Sequence, residues 1–221
     1  MTDVRERLDR ILAERIAILD GAMGTAIQAH RLSEDDVRSE RFRDHPRDLR
    51  GAIDILNLTQ PEIVAAVHRG YLAAGADIVS TNTFTATPVS QDDYGLAEHT
   101  YEINRSGAEI ARRVVDEVAA ETGTDRFVAG SVGPTNQTLS ISPHVSDPSF
   151  RGATFDGIAE GYAVAIRGLV DGGVDVLLIE TIFDTLNAKA ALVAAREAAP
   201  QLPLWISVTI EIGRASCRER V

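Results

Sequence analysis

Three polar side chains close apolar runs, and the chemistry this chain can do starts from them. Asp20 follows Ile16-Ala17-Ile18-Leu19, Asn82 follows Ile78-Val79-Ser80-Thr81, and Glu180 follows Val176-Leu177-Leu178-Ile179. A short apolar run bounded by glycine reads as a buried strand. A carboxylate at its carboxyl end points out of the core, to where parallel α/β folds bind ligands. Two carboxylates and an amide on one rim can hold an ammonium group through charge-assisted hydrogen bonds. They can also form a general acid and base pair. The structural alternative is that they bond the loops above them. Asp20 taken alone reads as an Asx turn into Gly21-Ala22-Met23-Gly24, and Asn82 suits the structural role. Glu180 suits the functional one, because a carboxylate ending so apolar a strand is costly without a partner.

Other chemistries find little support. His30, His45, His68, His99 and His144 show no HxxxH or HxH spacing, so no metal site is expected from them. Gly21-Ala22-Met23-Gly24 lacks the lysine and the spacing of a phosphate-binding loop. Gly133-Pro134 reads equally as a rigid turn and as a place where backbone can approach a ligand.

The elements that must position these groups alternate. Strands are expected at 16–20, 76–84, 127–134, 174–180 and 204–210, and helices at 4–15, 59–75, 98–121, 154–172 and from Asp184 or Thr185 to just before Pro200. Thr59-Gln60-Pro61-Glu62 reads as a helix start, with Thr59 as cap, Glu62 completing a capping box and Pro61 in the first turn. Residues 26–57 are mostly polar and read as a long loop with one helical turn. The stretch from Gly75-Ala76-Asp77 to Phe84 is echoed from Gly173-Val174-Asp175 to Phe183. Such an echo in a βα alternation implies parallel βα units. The long connections follow strands and the short ones follow helices, as on the working face of a (β/α)₈ TIM barrel. A five-stranded doubly wound sheet is the runner-up.

Composition is that of a globular protein: 221 residues, 44% hydrophobic and 25% charged. Mean hydropathy is −0.04, and no apolar run is long enough to span a membrane. The charged N-terminus lacks a signal core, and the single cysteine, Cys217, permits no intrachain disulfide, so a cytoplasmic location is expected. A net charge of −11 argues against a broad nucleic-acid surface.

Six motifs together carry a resemblance. They are Asp20-Gly21-Ala22-Met23-Gly24-Thr25, Leu58-Thr59-Gln60-Pro61, Ala76-Asp77 with Thr81-Asn82-Thr83-Phe84, Gly133-Pro134-Thr135-Asn136, Ser140-Ile141-Ser142-Pro143, and the run from Glu180 to Lys189. From about residue 12 to residue 209 the chain resembles the homocysteine-binding module of the cobalamin-dependent methionine synthases, within the homocysteine S-methyltransferases. The resemblance implies a (β/α)₈ barrel with homocysteine at the strand ends. It implies Asp20, Gly21, Ala22, Met23 and Glu180, and more weakly Asn82, as substrate-binding groups. It also implies zinc holding the substrate thiolate, and methylcobalamin as donor, recharged by methyltetrahydrofolate on further modules.

One departure accompanies it. The three cysteines that such a module uses for zinc are absent, and Cys217 lies in a tail, residues 211–221, without family pattern. The expectation is therefore a partial barrel over residues 1–210, holding the first five strands, with no catalytic or metal-ligating residue of its own. Such a piece is expected to be inactive alone and not to fold as a stable monomer. The alternatives are a stand-alone homocysteine S-methyltransferase using S-methylmethionine or betaine, and a non-catalytic amino-acid-binding protein.

Overall fold

The echo between Asp77 and Asp175 is the clearest link from sequence to architecture. Each aspartate follows a glycine two residues earlier, Gly75 and Gly173, whose backbones turn at φ 106° and 89°, a region that L side chains rarely adopt. The chain thereby leaves a helix and enters a strand at once. Each carboxylate then reaches the preceding strand: Ile18 N donates to Asp77 Oδ2 at 2.9 Å and Val128 N to Asp175 Oδ2 at 2.8 Å. Arg15 and Arg126 neutralise Asp77, and Arg112 neutralises Asp175. The same device thus ties each of these two strands, at its amino end, to the segment beside it, and it holds the Asp77 carboxyl below the usual carboxylate range through its bonds to Arg15.

The computed structural model describes residues 4–144 and 146–208. In chain order it contains α1 (Val4–Glu14), α2 (Met23–Gln28), α3 (Glu34–Arg38), α4 (Leu56–Thr59), α5 (Pro61–Ala73), β1 (Ile78–Ser80), α6 (Pro88–Gln91), α7 (Thr100–Thr122), β2 (Phe127–Val132), α8 (Phe155–Asp171), β3 (Val176–Ile182), α9 (Thr185–Ala198) and β4 (Leu204–Val208). The four strands form one parallel sheet in the order β1-β2-β3-β4. Strand order follows chain order without the reversal that a doubly wound sheet requires, so that runner-up is set aside.

The two faces of the sheet have separate cores. Val79, Val128, Val132, Leu177 and Ile179 face the layer of α5, α7, α8 and α9, whose stripes include Val64, Ile103, Val114, Ile166 and Ala191. The alternate residues Ile78, Phe127, Ala129, Val176 and Leu178 face the other way and pack on Leu8 of α1. Arg7 fixes α1 there, ion-paired to Asp125 and lying 4.9 Å from the centre of the Phe127 ring. On this second face the amino-terminal layers are apolar, while the carboxyl ends of the strands carry Ser80, Ser131 and Glu180.

Several expectations need correction. Residues 16–20 lie parallel to β1, but only one bridge, Leu19 to Ile78, forms. The Asp77 carboxylate takes the Ile18 N–H that a ladder would use, and Ile16 is 86% exposed rather than buried. The second strand ends at Ser80, earlier than expected, and β3 runs further, to Ile182. Within the stretch 26–57, α3 and parts of α2 and α4 are helical, and Ile27, Val37, Phe42 and Leu49 join the core. Thr59 does not cap α5; its hydroxyl bonds back to Ile55 O, and Gln60 stands at the cap without a side-chain bond. Pro61 does open the helix. Thr154 and Asp184 cap α8 and α9, as their positions suggest. Cys217 and the tail from 211 lie outside the described residues.

Candidate functional site

Asp20 is held by the strand beside it. The Ser80 N–H donates to its Oδ2 and the Ser80 hydroxyl to its Oδ1, both at 2.9 Å. The Asx-turn alternative is thereby replaced by a cross-strand clasp. Glu180 is held in a matching way, by the Ser131 hydroxyl donating to its Oε1 at 2.6 Å. The strand bends just beyond it. Pairing between β3 and β4 shifts register between Glu180 and Ile182, and Thr181 sits at φ 61°. A bulge of this kind re-aims a side chain, and a non-glycine residue in the left-handed region stores strain of about 1–3 kcal/mol.

Both carboxylates line one cavity of about 450 Å³. Gly21, Ala22, Met23 and Asn82 line it as well, so all six residues singled out from the sequence meet there. Their roles differ. Gly21 stands where a side chain would press on Tyr71, whose ring lies 3.0 Å from the position of a Cβ, and the Tyr71 hydroxyl donates to Ala22 O. Asn82 is spent on structure: its Nδ2 donates to Ile53 O and Asn57 Oδ1, and Asn57 Nδ2 donates to Asn82 O.

The structure adds residues that sequence reasoning missed. Ser80 and Ser131 hold the two carboxylates, and Thr81 and Thr83 tie the strand ends together through Ser131. Asp54 contributes a third carboxylate to the cavity wall, accepting from the Thr85 hydroxyl and from Gln91 Nε2. The serines were readable as the inward residues of their strands. Asp54 was not, since it lies in a turn within a stretch read as loop.

The electrostatics follow from the lining. Among the described residues no lysine, arginine or histidine borders the cavity. Burial pushes the Asp20 carboxyl up to about 6; the Ser80 bonds pull it back and the nearby Glu180 charge adds to the rise. Burial likewise pushes Asp54 up to about 6 against its bonds to Thr85 and Gln91. A cavity with three carboxylates and no cation of its own selects a cationic group. It does not fit the zinc implied by the resemblance. Among the described residues no three histidine, cysteine, aspartate or glutamate side chains are grouped to hold a metal ion.

The sequence model of the family described as homocysteine S-methyltransferase matches residues 17–219, running past residue 210, where the family pattern was expected to stop. Among solved structures the chain is similar to the homocysteine methyltransferase MmuM from Escherichia coli. For the metallated form the TM-score is 0.71 at 25% identity, over 93% of this chain and 67% of that one. For the apo form it is 0.63 at 23% identity, over 93% and 64%. The chain thus spans about two-thirds of the length of these solved chains.

Proposed function

Because the chain belongs to the homocysteine S-methyltransferase family, we propose that its cavity binds homocysteine with the ammonium group between Asp20 and Glu180. The observation that carries this reading is the pairing of two serine-held carboxylates, from separate chain segments, in a cavity where no cationic side chain is found among the described residues. The Ser80 and Ser131 bonds fix both carboxylates before the ligand arrives, which lowers the cost of ordering them. Each still has acceptor capacity for an ammonium proton. Gly21, Ala22 and Met23 line the same wall and would face the amino-acid end of the ligand.

The chemistry proposed for the bound substrate is methylation at sulfur, giving methionine. A thiol near its ordinary pKa of about 8.5 is mostly protonated at neutral pH and reacts as thiolate. The residues described here bind and orient the amino-acid end, and the activating group for sulfur is not among them. The run from Glu180 to Lys189 supports the finer reading that this is the homocysteine module of a cobalamin-dependent methionine synthase. In that reading the methyl group comes from methylcobalamin and ultimately from methyltetrahydrofolate, both carried on other modules. The sequential, all-parallel strand order with its helix layer on one face supports reading the sheet as an arc of a (β/α)₈ barrel.

The test is calorimetric titration with L-homocysteine and with 4-mercaptobutanoate, which keeps the thiol and carboxylate but lacks the amine. Homocysteine should bind, and the analogue should bind at least about 10-fold more weakly, since a charged hydrogen bond contributes roughly 1.5–3 kcal/mol. Equal affinity for the two would remove the ammonium from the account.

A further inference from the structure

A second cavity, of about 410 Å³, lies beside the first and shares Gly51 and Ile53 with it. Its character is opposite. The floor is apolar, built from Ile27, Leu32, Val37 and Leu56, and its charged groups are Arg31 and Arg50, with no carboxylate in the lining among the described residues. Among the described residues neither guanidinium makes an ion pair or a hydrogen bond; Arg50 exerts only a through-space pull on Asp48. Arg10, Arg167 and Arg196 are likewise exposed and unpaired among the described residues; what sets Arg31 and Arg50 apart is that both line one cavity. Elsewhere exposed arginines are engaged, as in Arg41 with Glu102, Arg69 with Glu117 and Arg105 with Glu109. The backbone at Arg31 points the same way. It sits at φ 52°, just past the end of α2, in a left-handed conformation that glycine or asparagine fills at lower cost. The turn keeps a long cation there instead, with its side chain on the cavity.

We propose that this second cavity is a binding site for a small amphipathic anion, an apolar body ending in a carboxylate or a phosphate. The body lies on the floor formed by Ile27, Leu32, Val37 and Leu56, and the anionic end meets Arg31 and Arg50, whose planar forks suit either headgroup. The adjoining cavity, with Asp20, Asp54 and Glu180 in its lining, repels the same end and so sets the ligand's direction. The inference does not depend on what the first cavity binds.

The experiment titrates the 221-residue chain with hexyl phosphate, hexanoate, hexanol and inorganic phosphate, in low and high salt. Hexyl phosphate or hexanoate should saturate one site, weakening as salt rises. Hexanol and inorganic phosphate should each bind at least roughly 10-fold more weakly than the better amphipathic anion, because each lacks one half of the recognition. The double variant Arg31→Gly, Arg50→Gln should lower the anion affinity by at least roughly 10-fold. Both positions are exposed and the glycine relieves the left-handed turn, so the circular dichroism and melting temperature should be retained. The ratio of hexyl phosphate to hexanoate affinity identifies the preferred headgroup. The proposal is overturned if neither anion saturates, if hexanol binds as well as the anions, if inorganic phosphate matches hexyl phosphate, or if the double variant binds the anions unchanged.

Discussion

Replacing Asp20 with asparagine should make the empty protein more stable at neutral pH while costing it its ligand. Burial raises the Asp20 carboxyl from 3.8 to about 6. A folded-state pKa above the unfolded one means that the folded protein keeps a proton which the unfolded chain has already lost. The contribution to stability therefore falls as pH rises from about 4 to about 6, and the penalty is fully present above that window. A shift of about 2 pKa units corresponds to about 3 kcal/mol. Asparagine removes the titration. The Ser80 bonds are already included in that shift, and the protonated carboxyl present near pH 4 has a single carbonyl acceptor, as asparagine has. The net expectation for Asp20→Asn is a gain of about 3 kcal/mol at neutral pH and little change near pH 4. Homocysteine affinity should fall by roughly 10-fold or more in the same variant. Urea unfolding followed by circular dichroism at the two pH values reads the stabilities, and calorimetry reads the affinity. The difference between the parent and variant profiles isolates this group from the other carboxylates. Parallel profiles, or a variant less stable than the parent at neutral pH, would show that burial does not raise the Asp20 carboxyl in the folded protein.

Other groups give predictions of the same kind. Glu180→Ala should weaken homocysteine binding by about 1.5–3 kcal/mol, read by calorimetry, with little change in melting temperature. Asp184→Ala should lower stability by roughly 2–4 kcal/mol in urea unfolding. That carboxylate caps α9 through the N–H groups of Leu186 and Asn187 and also anchors Leu139 and Ser140. Burial alone would raise the Asp184 carboxyl, but these donors outweigh it and hold it below the usual range, so its contribution is lost as pH falls through that lowered value. His68 is fully buried, neither ring nitrogen has a hydrogen-bond partner among the described residues, and burial lowers its pKa to about 4. It must stay neutral in the fold, so stability should drop by up to about 3 kcal/mol as pH falls from about 6.5 to about 4. His68→Leu should remove that part of the acid sensitivity in the same unfolding assay.

Legibility in the sequence followed burial. β2, β3 and β4, the long helices α5, α7, α8 and α9, and the capping roles of Thr154 and Asp184 were readable because each is a strong local pattern. The 16–20 segment was misread because apolarity alone does not make a ladder, and the Asp77 side chain takes the N–H that one needs. Asp20 and Glu180 were found as carboxylates that end apolar runs. Ser80 and Ser131, which hold them, are small residues inside strands, and their pairing depends on register across the sheet. Asp54 stayed hidden because a three-residue turn of helix, Ile53–Ile55, has no periodicity to reveal which of its residues face inward.

The central claim is a position, and a structure of the protein with L-homocysteine bound measures it directly. The amino nitrogen should lie within about 3 Å of a carboxylate oxygen of Asp20 and of one of Glu180, with Ser80 and Ser131 still bonded to the same side chains. A ligand whose ammonium lies away from both carboxylates, or whose own carboxylate occupies that place, would contradict it.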